Sequence, residues 1–68
     1  MESPRSKLHT LIGLREKAEK RFNMMGNPKA EMEYLQYKKE VEDLLKEHSE
    51  LESAVETVED YFLKQLYS

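Results

Sequence analysis

The sequence predicts an all-α protein: an antiparallel helical hairpin with a long second helix, completed by association with another chain. Three observations lead there. The 68 residues hold only two glycines and two prolines, and 37% are charged, the composition of long helices. A single compact interruption, MMGNPKAE at 24–31, divides the chain. On both sides of it, apolar residues recur three or four apart, the spacing of a helix with one buried face.

The interruption reads as a turn because its three central residues act in order. Gly26 can take the left-handed conformation that ends a helix. Asn27 is a favoured N-cap, with a side-chain oxygen for an orphan backbone N–H. Pro28 suits the first helical position, where its missing N–H costs nothing. Ser3 and Pro4 repeat cap and proline near the N-terminus. The first helix is therefore expected over about 4–25, the turn at 26–27 and the second helix over about 28–66, in a single small domain 1–68.

In the first helix Leu8, Leu11, Ile12, Ala18, Phe22 and Met25 form the stripe. Arg15 falls on the same line and makes it imperfect. Gly13 lies off it and weakens the helix by up to ~1 kcal/mol relative to alanine. In the second helix one heptad seam reads Tyr34, Tyr37, Val41, Leu44, His48, Leu51, Val55, Val58, Phe62, Gln65. Two charge pairs, Glu42 with Lys46 and Asp60 with Lys64, stand four apart in the favourable order.

The two lengths do not match. At 1.5 Å per residue the first helix spans about 33 Å and an unbroken second helix about 58 Å. The last ~25 Å of the second helix would then carry Leu51, Val55, Val58, Tyr61, Phe62 and Leu66 without cover from the first. These six are the candidate partner-binding residues, because such a stripe must be sheltered. The alternative is a three-helix bundle with a break near 47–50, where Ser49 and Glu52 fit a capping box and His48 suits a helix C-terminus. Against a break stand the absence of glycine or proline and a seam that passes His48 without changing phase.

Composition limits the functions open to the chain. A domain this short has a thin core and usually needs a staple. It has no cysteine, which removes disulfides and most zinc sites. His9 and His48 are too far apart in sequence to suggest a metal, and no cofactor or metal is expected. The expected staple is a protein partner: a second copy, a heterologous helix, or both, giving a homo- or hetero-oligomer. No apolar run approaches a membrane span, and the start lacks the apolar core of a signal peptide. The expectation is a soluble, cytoplasmic protein without a membrane partner. The net charge of −3 hides a division: residues 1–27 carry +3 and residues 28–68 carry −6. Opposite signs favour packing of the two halves on each other.

Several groups need weighing. His48 at a seam position would fix register, or act as a pH switch if it faced a symmetry mate. The basic run Arg15, Lys17, Lys20, Arg21 could touch phosphates, but Glu16 and Glu19 interrupt it, so nucleic acid is not the expected partner. The acidic run Glu40, Glu42, Asp43, Glu47, Glu50, Glu52 reads as a solvated face, because acid–base work needs a pocket. Met24 and Met25 flank the turn and would plug the end of a small core with Met32 and Leu35, or serve a binding surface.

One stretch carries a resemblance. Leu14-Arg15, then Gly26, then KKEVEDLL at 38–45 is similar to the short helical-hairpin phosphatases that act on aspartyl-phosphate in bacterial sporulation response regulators. In that alignment Glu40, Val41, Leu44 and Leu45 fall on the family's Glu, Leu and following apolar pair. Lys38 and Lys39 stand where serine and glutamine belong, and Glu42 where the family has its functional aspartate, with Asp43 one place out of register. The resemblance implies an enzymatic alternative, in which Glu42 or Asp43 assists attack on an acyl phosphate held by a partner. The size, charge and hairpin layout also resemble the small acidic co-chaperones of type III secretion needles. The reading favoured by the residues themselves is a non-enzymatic interaction module: adaptor, small regulator or inhibitor, or co-chaperone.

Overall fold

A computed structural model describes residues 3–67. The described residues form three α-helices and one short 3₁₀ turn: α1 Pro4–Met25, α2 Pro28–Glu47, the 3₁₀ turn Ser49–Leu51, and α3 Glu52–Tyr67. The helices run up, down and up, and α1 is the element against which both others pack.

Local chemistry writes the ends of α1. The Ser3 hydroxyl accepts from the Ser6 backbone N–H at 3.2 Å, and Pro4 fills the first turn. At the other end Gly26 has φ 62°, ψ 26°, and its N–H donates to the Phe22 carbonyl at 2.7 Å. A side chain at that φ would be strained. Asn27 then caps α2, its Oδ1 accepting from the Lys29 N–H at 2.9 Å.

The long second helix expected over 28–66 is replaced by two helices. The chain turns at His48, whose φ −132°, ψ 67° is not helical. Its N–H still closes on the Leu44 carbonyl, and its carbonyl accepts from the Leu51 N–H, both at 2.9 Å. The joint therefore loses few backbone hydrogen bonds, each worth about 0.5–1.5 kcal/mol net. In return Leu51, Ala54 and Val58 leave water, and a buried Val or Leu contributes about 1.5–3 kcal/mol. Burial outweighs helix continuity, and a break needs neither glycine nor proline. The Ser49–Glu52 capping box is not what makes it, since no side chain caps the 3₁₀ turn.

The core is drawn from all three helices: Leu8, Leu11 and Ile12 of α1, Val41 and Leu44 of α2, Ala54 and Val58 of α3, with Leu51 of the 3₁₀ turn. Leu8 and Ile12 are fully enclosed. Tyr37, Leu45, Val55 and Phe62 pack around this centre.

Gly13 has a role that the stripe of α1 does not suggest. A Cβ there would stand 2.6 Å from the tip of the Phe62 ring, so glycine lets that ring lie on the α1 backbone. His9 and Tyr61 hold the ring from the sides, with centroids 4.8 and 5.1 Å away. Overpacking a filled site costs about 1–3 kcal/mol. Gly13→Leu is expected to lower stability by that order, and Phe62→Ala in the same chain is expected to remove most of the penalty. A double-mutant cycle in urea measures the coupling; strict additivity of the two changes would contradict the contact.

Candidate functional site

The seam chosen from sequence as partner-binding is largely internal. Leu51 and Val58 are buried in the core, and Val55 and Phe62 pack against it. Leu66 is half-buried, and its carbonyl accepts from Lys20 Nζ. Tyr61 alone of the six is exposed, its ring 5.4 Å from that of His9. The correction follows from the turn at His48. The stripe does need shelter, and the chain's own α1 supplies it.

His48 is likewise re-placed. It sits at the α2–α3 joint, half-exposed, with Nδ1 3.5 Å from a Glu50 carboxylate oxygen of its own chain. It does not lie in the middle of a continuous seam.

Arg15, the apparent flaw in the α1 stripe, joins α1 to α3. Its guanidinium donates to Glu16 Oε1 at 2.9 Å and to Glu59 Oε2. The Arg15 and Glu16 side chains are only 12% and 8% exposed. Burial by itself would lower the Arg15 pKa. The hydrogen bond to Glu16 and the charges of Glu59 and Glu16 outweigh it, and the net pKa is raised above its ordinary value. Raised stabilisation of this kind is present below the unfolded pKa and lost only as pH rises through the folded one. Both lie above the working range, so Arg15 stays charged throughout it.

Folding α3 back moves the uncovered apolar surface to the opposite end of the molecule. At ~1.5 Å per residue the sixteen residues of α3 span about 24 Å against about 33 Å for α1. The bond from Lys20 to the Leu66 carbonyl marks how far α3 reaches along α1. Beyond it the α1–α2 tip projects. Met24, Met25 and Met32 are 73, 76 and 72% exposed, and Leu35 is 53% exposed. Phe22 and Tyr34 are half-buried beside them. An open groove of about 240 Å³ runs along this tip, lined by Glu19, Phe22, Asn23, Glu31, Tyr34 and Leu35. Its floor is apolar, and Glu19 and Glu31 are its only charged groups. The methionines do not plug the core: all three are exposed, while Ala30 near the same end is buried.

A second groove of about 460 Å³ is lined by Leu14, Lys17, Lys20, Arg21, Tyr37 and Leu66. Arg21 is paired with Glu33, and Lys20 lies 5.4 Å from the Tyr67 ring centroid. The acidic groups of α2 have no enclosing site. Glu42 and Asp43 are exposed and line separate open depressions. No cluster of three or more metal-ligating residues occurs among the described residues, and no helix among them is long and apolar enough to cross a membrane.

Sequence reasoning named the tip methionines but placed the principal surface on the distal seam. The tip becomes visible only when the break at His48 shortens the third element. Comparison of the chain with family models, with curated proteins and with solved structures finds no match.

Proposed function

We propose that the chain is a non-enzymatic protein-interaction module whose contact surface is the α1–α2 tip. The observation that supports this is the grouping of Met24, Met25, Met32 and Leu35, each more than half exposed, at the end that α3 does not reach. Flexible, polarizable methionines adapt to an incoming apolar surface at small steric cost. The adjoining groove adds direction: an apolar floor with Glu19 and Glu31 suits an amphipathic helix that carries basic residues beside its apolar face. Adaptor, small inhibitor and co-chaperone roles all fit such a surface. The phosphatase alternative lacks comparable support, because Glu42 and Asp43 stand on open surface.

Methyl-labelled methionine gives a direct readout. A synthetic helical peptide patterned with Leu and Lys is expected to shift the methyl resonances of Met24, Met25 and Met32, and a Leu/Glu counterpart to shift them far less. Met32→Asp with Leu35→Asp is expected to abolish binding while leaving the helical circular dichroism unchanged. Equal response to both peptides, or none at millimolar peptide, would overturn the reading.

A further inference from the structure

Two exposed stripes on this chain match each other. On the outer face of α1, Leu14, Lys17 and Arg21 follow at steps of three and four. On the outer face of α3, Leu63, Asp60 and Glu56, taken from C-terminus to N-terminus, follow at the same steps. Residues at such steps share one face of a helix. Laid antiparallel, the stripes bring Leu14 to Leu63, Lys17 to Asp60 and Arg21 to Glu56.

We propose that two copies of this chain associate through these stripes, α1 of one against α3 of the other. This goes beyond the tip reading and uses a different surface. The unmatched groups support it. Among the described residues, Lys17, Glu56 and Asp60 take part in no ion pair. Leu14 and Leu63 are 37% and 43% exposed although both are leucine. Arg21 is itself exposed, its side chain 54% accessible, and its one ion-pair partner is the half-buried Glu33, which it can exchange or share with Glu56 of the second copy. Apolar contact at one end and charge pairs at the other fix both orientation and register, as flanking charges do in paired helices.

The fold also suits the symmetry. Within one chain α1 and α3 run in the same sense, since His9 lies beside Phe62 while Lys20, further along α1, reaches Leu66. A two-fold axis across the helices reverses the second copy, so its α3 meets α1 antiparallel, and the same operation forms the contact twice. A second copy is favoured over an unrelated acidic helix because this chain carries both halves in one register.

Charge exchange tests the pairing. Sedimentation equilibrium of the natural chain is expected to give twice its 8.1 kDa mass at high-micromolar concentration, with the dimer weakened by salt. Lys17→Glu/Arg21→Glu is expected to raise the dissociation constant about tenfold or more, and Glu56→Lys/Asp60→Lys likewise. An equimolar mixture of the two variants is expected to recover a heterodimer, because each groups opposite charges again. Circular dichroism checks that each variant is folded. The chain has no cysteine, so Lys17→Cys and Asp60→Cys also report the contact: the mixed disulfide is expected to form faster than either self-disulfide. A natural chain that stays monomeric to millimolar concentration, or variant pairs that fail to recover on mixing, would overturn the proposal.

Discussion

Ile12→Ala is expected to remove most of the stability of the fold. Ile12 is fully enclosed and belongs to the one cluster to which α1, α2, the 3₁₀ turn and α3 all contribute. Truncating a buried isoleucine costs about 2–5 kcal/mol, more where the surroundings cannot collapse into the cavity. Collapse is restricted here, because the neighbours are anchored on different helices. A chain of this length has a total stability of roughly 3–10 kcal/mol. The loss is therefore a large fraction of the whole, and a fall in Tm of roughly 10–30 °C follows from the entropy of unfolding a small domain.

Thermal and urea unfolding followed by circular dichroism measure it. Met32→Ala serves as the control: the side chain is 72% exposed, and substitutions at such positions usually stay within about 0.5 kcal/mol. The contrast between the two also separates this fold from an open hairpin with a continuous second helix. In that arrangement Ile12 would face α2 alone, and its loss would leave the residues after His48 untouched. Here the amide protons of α3 should exchange faster together with those of α1 and α2. A loss below about 1 kcal/mol, or exchange confined to α1 and α2, would be incompatible with a core shared by three helices.

The all-helical class was legible because it rests on composition and on period, which every part of the chain repeats. The ends at Ser3–Pro4 and Gly26–Pro28 have local causes, a cap, a left-handed glycine and a proline, and such causes can be recognised in a few adjacent residues. The turn at His48 has no local cause. It exists because Leu51, Ala54 and Val58 have a place to go on α1, an energetic fact that resides in residues forty positions away. Helical phase runs through His48 undisturbed, so periodicity alone favours continuity; the signals against it were the length mismatch between the two arms, His48 as a helix C-terminus, and a Ser49–Glu52 capping box whose cap the structure does not form. Gly13 and Arg15 show the same limit. Each reads as a defect when α1 is judged as a two-helix element. Each has a partner once α3 lies alongside: Phe62 for the glycine and Glu59 for the arginine. The candidate surface changed for the same reason, since the apolar residues left over depend on where the third helix ends.

Arg15→Met is expected to cost more than the loss of a surface charge pair, and the excess is expected to come from Glu16. Exposed ion pairs contribute about 0–1 kcal/mol. Arg15 differs because the carboxylate it satisfies is almost enclosed, at 6% exposure for the residue as a whole. Removing the guanidinium leaves that carboxylate without its hydrogen-bond donor and counter-charge, a situation that costs about 3–5 kcal/mol when burial is complete and nearer 2–3 here, where some water reaches the group. Glu59 adds little to the penalty, since its side chain is 36% exposed and can turn to solvent. The second substitution decides the cause. Arg15→Met/Glu16→Met removes both buried charges and keeps most of the apolar volume, and replacing a buried pair in this way is often neutral. The double variant is therefore expected to be more stable than Arg15→Met alone by at least about 1 kcal/mol, a coupling within the range for residues in contact. Urea unfolding at neutral pH reads both. If Arg15→Met matched the natural chain, or if the double variant were the less stable of the two, the enclosed Glu16 carboxylate would not be what makes Arg15 costly to lose.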